Sequence, residues 1–93
     1  MQQMLKVQIQ LMKEGDIAIV YSPALEISGY GKSIQEAETD FHNAVKIFME
    51  ETASKGSLEQ ALEALGWKRV DHHWQPQVEI LSLGKTEEIA IPA

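Results

Sequence analysis

The sequence predicts an α+β domain of two layers, in which a mainly antiparallel sheet carries a long helix on one face. Two observations predict this class. Three short apolar runs with strand character occupy residues 5–27, and a helical apolar stripe follows from about residue 34 to 54. With a shorter helix and a last strand, the expected order is β-β-β-α-(α)-β. Ninety-three residues suit one domain, residues 1–93, with a core at about 4–70 and a strand-like tail at 76–93.

The first two predicted strands form a hairpin. Apolar residues alternate with polar ones in the first strand, which predicts one solvent-exposed face. These apolar residues are Leu5, Val7, Ile9 and Leu11. A glycine-containing loop at 13–16 leads to residues 17–21, which are apolar on both faces, as in a central strand or one whose second face is covered. Pro23 has no amide hydrogen and is expected to end this strand, and residues 25–27 then form a short third strand.

Signals for the start of a helix follow the third strand. Gly29 and Gly31 permit positive φ, and we expect them to let the chain leave the sheet. Ser33 and Glu36 then match the S-x-x-E capping box, in which each side chain satisfies a free backbone amide. The long helix is expected to run from about residue 34 to 54 and to end at Gly56, because glycine is favoured just after a helix.

The segments after the long helix are shorter. Ser57 and Gln60 repeat the capping pattern for a second helix that ends at Gly66. Strands are predicted at 67–70 and 78–83, with a loop or wide hairpin at 71–77 between them. The last residues, 86–93, form a possible edge strand.

The composition excludes several classes of partner and chemistry. Eight basic and fourteen acidic side chains give a net charge of −6, which argues against direct binding to nucleic acid and favours a basic protein partner. The chain has no cysteine, and so no disulfide, thiolate nucleophile or cysteine-based zinc site. No apolar run approaches the ~20 residues of a membrane span, and the first twelve residues alternate instead of forming a signal peptide. We expect a cytoplasmic protein without membrane contact.

No constellation of residues predicts catalysis. The acids of the long helix lie on its polar side, where carboxylates usually face solvent or a partner. They are Glu36, Glu38, Asp40, Glu50 and Glu51. His72 and His73 are adjacent, so they do not suit the metal-binding pair of a helix. Gly31-Lys32-Ser33 matches only the end of a phosphate loop, whose first glycine would stand at Glu26. We therefore predict a protein that is not an enzyme and that binds no metal or cofactor.

Aromatic and acidic side chains remain as candidates for contact with another protein. Tyrosine and tryptophan are enriched where interfaces derive most of their affinity. Trp67, just after a helix end, is expected to cap the core, whereas Trp74 lies in a polar segment and suits a core or an interface equally. The residues predicted to bind a partner are Tyr21, Glu26, Tyr30, Glu38 and Trp74.

The junction between the third strand and the long helix resembles that of the HicB-like antitoxin family. The matching features, in order, are an apolar strand ending at Pro23, Leu25, Gly31-Lys32-Ser33, and Glu36-Ala37 at the start of the helix. Later matches are Lys55-Gly56-Ser57 and Leu65-Gly66-Trp67. The resemblance spans roughly residues 4–70.

This resemblance implies a fold like a degenerate RNase H core that lacks nuclease activity. It implies that the chain neutralises a small basic HicA-like mRNA-cleaving toxin by direct binding, and that it forms a homodimer or a higher oligomer. Two features differ from many relatives. Glu26-Ile27 stand where those relatives carry Pro-Gly, and an acidic tail stands where they continue into a DNA-binding domain. The second difference argues against direct DNA binding and autoregulation.

Two alternatives remain open from the sequence. The first is a stand-alone, self-assembling structural protein without enzymatic activity, whose exposed strands pair with those of other copies. This alternative rests on four apolar residues of the predicted tail strands, Val78, Ile80, Ile89 and Ile91. The second is a small enzyme or ligand-binding domain that uses His42, Glu38 or the His72-His73 pair.

Overall fold

The computed structural model describes residues 5–82 and 84–92, and within them the α+β prediction is confirmed. The elements are β1 (Gln10–Glu14), β2 (Ile17–Ser22), β3 (Ile27–Gly31), α1 (Ile34–Ser54), α2 (Leu58–Ala64), β4 (Lys68–Val70) and β5 (His73–Gln75). The first three strands form an antiparallel sheet in the order β1-β2-β3, and β4 and β5 form a separate antiparallel pair. Residues 1–4 and 93 of the expected domain, and Leu83 of the expected strand at 78–83, lie outside the described residues.

The predicted hairpin and central strand are confirmed. Gly15 occupies the turn between β1 and β2 with φ 59°, a left-handed value that glycine adopts without a steric penalty. β2 pairs with β1 on one side and with β3 on the other. It ends at Ser22, directly before Pro23, which cannot donate a hydrogen bond to a neighbouring strand.

The third strand lies later in the chain than predicted. Residues 23–26 form a turn, in which the backbone N–H of Glu26 donates to Ser22 O at 2.7 Å. β3 then includes Gly29 and Gly31, which pair with Val20 and Ala18 of β2. The expectation that these glycines carry the chain out of the sheet is therefore wrong. The left-handed residue of this region is Glu26, with φ 56°.

α1 lies so close to β3 that only glycine fits at positions 29 and 31. A Cβ atom at Gly29 would stand 2.6 Å from Cα of Phe41, and one at Gly31 would stand 2.6 Å from N of Ala37. Carbon atoms pack at about 3.5–4.0 Å, so neither position has room for a methyl group. The two glycines thus mark the contact between the backbones of a helix and a strand.

α1 begins and ends where the sequence predicts. Ser33 Oγ accepts a hydrogen bond from the backbone N–H of Glu36 at 3.1 Å. Glu36 Oε2 in turn accepts from the backbone N–H of Lys32 at 2.7 Å, so the capping box is formed. Gly56 follows the helix with φ 64°, the left-handed conformation that commonly ends helices.

The segments after α1 differ from prediction in three places. Ser57 precedes α2, but its side chain caps no amide there and donates back to Thr52 O at 3.3 Å. The expected loop at 71–77 contains β5, which pairs with β4 across a two-residue turn. Asp71 and His72 form this turn with φ 48° and 68°, the signs that a type I′ turn requires. The described residues beyond position 75 form no strand, contrary to both tail predictions.

Two groups of buried side chains form the core. The first lies between the sheet and α1 and consists of Ala18, Val20, Ala37 and Phe41. The second lies against α2 and consists of Ala24, Leu25, Leu62 and Trp67. Ile27 and Val45 pack against both groups and join them. Trp67 is 2% exposed, and its Nε1 donates to Ala24 O at 2.8 Å, which confirms its predicted place in the core.

The first predicted strand is wrong in its bounds and in its burial. Leu5 and Val7 lie before β1 and pack against the second core group. All five residues of β1 are exposed, so neither of its faces is buried as the alternation predicted. α1 packs on β3 and β2, and β1 extends beyond the cover of the helix.

Candidate protein-binding surface

The three-stranded sheet has one face packed on α1 and a second face on which no described helix or strand packs. Directly opposed residues of neighbouring strands share a face, so the register places Met12, Ile19 and Tyr30 in one row across the sheet. Ile17 and Tyr21 lie on the same face, because side chains alternate along β2. We call the surface formed by Met12, Ile17, Ile19, Tyr21 and Tyr30 the open face.

The open face is apolar and substantially exposed. Tyr30 is 56% exposed, Met12 is 40% exposed and Ile17 is 41% exposed. Ile19 and Tyr21 are half-buried. Single exposed apolar residues are ordinary on protein surfaces, but an adjoining group with an aromatic side chain is typical of an interaction site.

Contacts on the far side of β3 hold Tyr30 in place. Asp40 Oδ2, on α1, accepts the backbone N–H of Tyr30 at 2.9 Å. Glu36 accepts the N–H of Lys32, the residue that follows β3, so α1 binds the end of this strand through two hydrogen bonds. The tyrosine is thus presented from a fixed backbone, which lowers the conformational entropy lost when a partner binds.

Acidic groups lie at the border of the open face. Glu14 shares this face with Ile17, its partner across the β1–β2 pair. Glu26 is exposed in the turn that joins β2 to β3. Together with the net charge of −6, these carboxylates favour a partner with a positive surface.

Two of the five predicted partner-binding residues lie away from the open face. Glu38 is half-buried at a groove of about 300 Å³ that it lines with Leu5, Phe41 and His42, so it does not point freely into solvent as expected. Trp74 is also half-buried; it packs against the second core group, and the Arg69 guanidinium lies 5.9 Å from its ring. The structure therefore brings Tyr21 and Tyr30 together and separates both from Glu38 and Trp74.

Sequence reasoning missed three members of the open face, namely Met12, Ile17 and Ile19. The signal for Ile17 and Ile19 was present in residues 17–21, which are apolar on both faces. A covered second face was one expected reason for that pattern, but no helix or strand among residues 5–82 and 84–92 covers this face. Met12 joins the group only through the register of β1 and β2, which periodicity alone does not supply.

The histidines considered as catalytic or metal-binding candidates do not lie in a cluster of metal-ligating side chains within the described residues. Within residues 5–82 and 84–92, no three side chains among histidines, cysteines, aspartates and glutamates lie close enough together to hold a metal ion. His72 lies in the β4–β5 turn, and His73 begins β5. None of the helices in the described part of the chain combines the length and hydrophobicity of a bilayer span.

Comparisons of the chain with protein-family models, curated proteins and solved structures gave no match. The likeness to HicB-like antitoxins therefore stays a resemblance in residues and motifs.

Proposed function

We propose that this chain is a protein-binding module of the HicB-like antitoxin type, which neutralises a small basic HicA-like mRNA-cleaving toxin by direct binding. The observation that carries the proposal is the open face, an exposed apolar surface on which Tyr30 is the most exposed side chain and has its backbone held by α1. The net charge of −6 supports a basic partner. A toxin that cleaves mRNA works in the cytoplasm, which is where we place this chain.

Binding has two physical stages in this proposal. The negative charge of the domain first raises the rate of encounter with a positively charged protein. Tyr30 and Met12 then pack against the partner, lose their contact with water and supply most of the binding free energy. The toxin is neutralised because its RNA-binding surface is covered, and no reaction by the antitoxin is required.

The open face suits this role better than the acidic side of α1. Two acids of that side, Glu36 and Asp40, already accept backbone amides of the β3 region. A partner that drew these carboxylates to itself would have to break both hydrogen bonds, so it gains less from contacting them. Glu50 and Glu51 remain exposed on α1 and contribute to long-range attraction.

The experiment compares two substitutions of matched exposure. Tyr30→Asp places a charge on the open face, and Ile47→Asp places one on α1; both native side chains are 56% exposed. Each variant is titrated calorimetrically with a basic HicA-like toxin encoded by an adjacent reading frame. Because an aromatic side chain that is buried on binding can contribute about 2 kcal/mol or more, we expect Tyr30→Asp to weaken binding about 30-fold and Ile47→Asp to leave it unchanged.

The same variants are scored for relief of the growth arrest that the toxin causes. Wild type and Ile47→Asp should restore growth, and Tyr30→Asp should restore it poorly. Lack of binding by the wild-type chain at micromolar concentrations would refute the proposal. Hydrolysis of RNA by the isolated chain would refute it equally.

A further inference from the structure

The two edges of the three-stranded sheet differ in their hydrogen bonding. At β3, the backbone amides of Tyr30 and Lys32 donate to carboxylates of α1. At β1, no backbone group of the described residues pairs on the side away from β2. β1 has no proline and no bulge, and its pairing with β2 is continuous from Gln10 to Glu14. Such an edge is a template on which another extended segment can pair.

Beside this edge lies a small apolar strip, which lines a groove of about 380 Å³ together with Ile80 and Ser82 of the chain's own tail. Leu11 is 55% exposed, and Ile9 is 39% exposed two residues earlier. Leu11 pairs with Val20, so it belongs to the face that α1 packs against, but it lies beyond the cover of the helix. We call Ile9 and Leu11 the β1 strip. It is separate from the open face, which lies on the other side of the sheet.

The second unpaired feature is residues 85–92, which we call the arm. Ile89 and Ile91 are 85% and 90% exposed, and their spacing of two places them on one side of an extended segment. No backbone group of the arm pairs with another backbone group of the described residues. The chain measures 54 × 28 × 22 Å, and its radius of gyration of 16.0 Å exceeds the roughly 12 Å of a compact chain this long.

A side-chain clamp fixes the place from which the arm departs. The backbone N–H of Ile80 donates to Gln8 Oε1 at 2.8 Å, and Gln8 Nε2 donates to Ile80 O at 3.2 Å. Gln8 thus offers Ile80 the donor and acceptor that a neighbouring strand would offer. This pair ties the tail to the segment just before β1.

We propose that the arm of one copy docks on the free edge of β1 in a second copy, with Ile89 and Ile91 on the β1 strip. Every copy carries both the free edge and the unpaired arm, so a two-fold exchange satisfies both features on both chains. The arm spans about 26 Å when extended and β1 about 17 Å, so one arm covers the strand. The charges are also compatible, since Glu87 lies on the same side of the extended arm as Ile89 and Ile91 and can face Lys13, which shares the face of Leu11.

Sedimentation equilibrium tests the exchange in solution. The wild-type chain should form a dimer at micromolar concentrations. Ile89→Asp/Ile91→Asp should raise the dimer dissociation constant about tenfold or more without changing the thermal midpoint of the monomer, because the arm makes no contact with the core. Ile47→Asp, on α1, controls for the loss of an exposed isoleucine. A monomeric wild type, or arm variants that dimerise as tightly as the wild type, overturns the proposal.

Disulfide trapping then tests which surfaces meet. Because the native sequence has no cysteine, every disulfide must form between introduced residues. Leu11→Cys and Ile89→Cys are made in separate chains, mixed and oxidised mildly. Exchange predicts that the mixed Leu11→Cys/Ile89→Cys disulfide dominates by mass spectrometry. A mixture of Leu11→Cys with Ile47→Cys should give little product. If Leu11→Cys homodimers dominate instead, β1 pairs with β1 and the arm exchange is wrong.

Discussion

The substitution Gly29→Ala is the most direct test of the close backbone contact between α1 and β3. A methyl group at this position would lie 2.6 Å from Cα of Phe41 and also against the backbone N of Phe41 and O of Ala37. Contacts between carbon atoms are favourable at about 3.5–4.0 Å, so the helix must move by about 1 Å to admit the methyl group. The obstructing atoms belong to backbone, which cannot rotate out of the way as a side chain would.

This clash determines how much the free energy of unfolding should fall. Overpacking a close-fitting interior costs about 1–3 kcal/mol, and a backbone contact places Gly29→Ala near the upper end, at about 2–3 kcal/mol. For a domain of this size, the loss corresponds to a fall in melting temperature of about 10–20 °C. Urea denaturation followed by circular dichroism measures the free energy of unfolding, and thermal denaturation checks the shift.

Ser28→Ala is the matched control for this prediction. Ser28 is the neighbouring residue of β3 and points to the opposite face of the sheet. Because the substitution adds no atom, we expect its free energy of unfolding to stay within about 0.5 kcal/mol of wild type. A Gly29→Ala protein as stable as Ser28→Ala would refute the close backbone contact between α1 and β3.

Three further substitutions test local features by urea denaturation. Glu26→Gly should raise the free energy of unfolding by about 1 kcal/mol, because glycine adopts the φ of 56° found here without the steric penalty. Trp67→Phe should lower it by about 2 kcal/mol, since the buried carbonyl of Ala24 loses its indole donor. Ser33→Ala should lower it by about 1 kcal/mol through loss of the cap on the Glu36 amide.

Each of these predictions has a control or a contradicting result. Glu26→Gln removes the charge but keeps the strained backbone, so a gain equal to that of Glu26→Gly would rule out relief of backbone strain. Trp74→Phe removes an indole that is only half-buried; if it costs as much as Trp67→Phe, the Ala24 bond is not the cause. Ser33→Thr keeps a capping oxygen and should retain most of the stability that Ser33→Ala loses.

Local chemistry explains why α1 and the β1–β2 hairpin were predictable. Ser33 and Glu36 cap the helix through atoms a few residues apart, so the signal is complete in a short window of sequence. Gly15 and Pro23 act through their own backbone geometry, and they end strands where expected. None of these features depends on where the rest of the chain lies.

The misplaced third strand shows what local signals leave out. Gly29 and Gly31 suggested a turn, because glycine permits positive φ. They are needed inside a strand because the backbone of α1 packs directly against them, a contact made by residues five to twelve positions later. The real turn carries its left-handed φ at Glu26, a residue type that rarely adopts it.

The candidate site was only partly predictable for a similar reason. Tyr21 and Tyr30 were chosen as single aromatics, and the register of three strands placed them beside Met12 and Ile19. Trp74 was chosen on the same chemical grounds, but it packs against the core instead. Residue type indicates what a side chain can do, whereas pairing decides which side chains act together.

Protection of position 30 by the toxin tests the central claim most directly. Tyr30→Cys and Ile47→Cys each give the chain a single thiol, at sites that are equally exposed in the native protein. The rate of maleimide modification is measured with and without saturating toxin. The open-face interface predicts a fall of about tenfold or more at position 30 and no change at position 47. Equal rates at position 30 with and without toxin would contradict it.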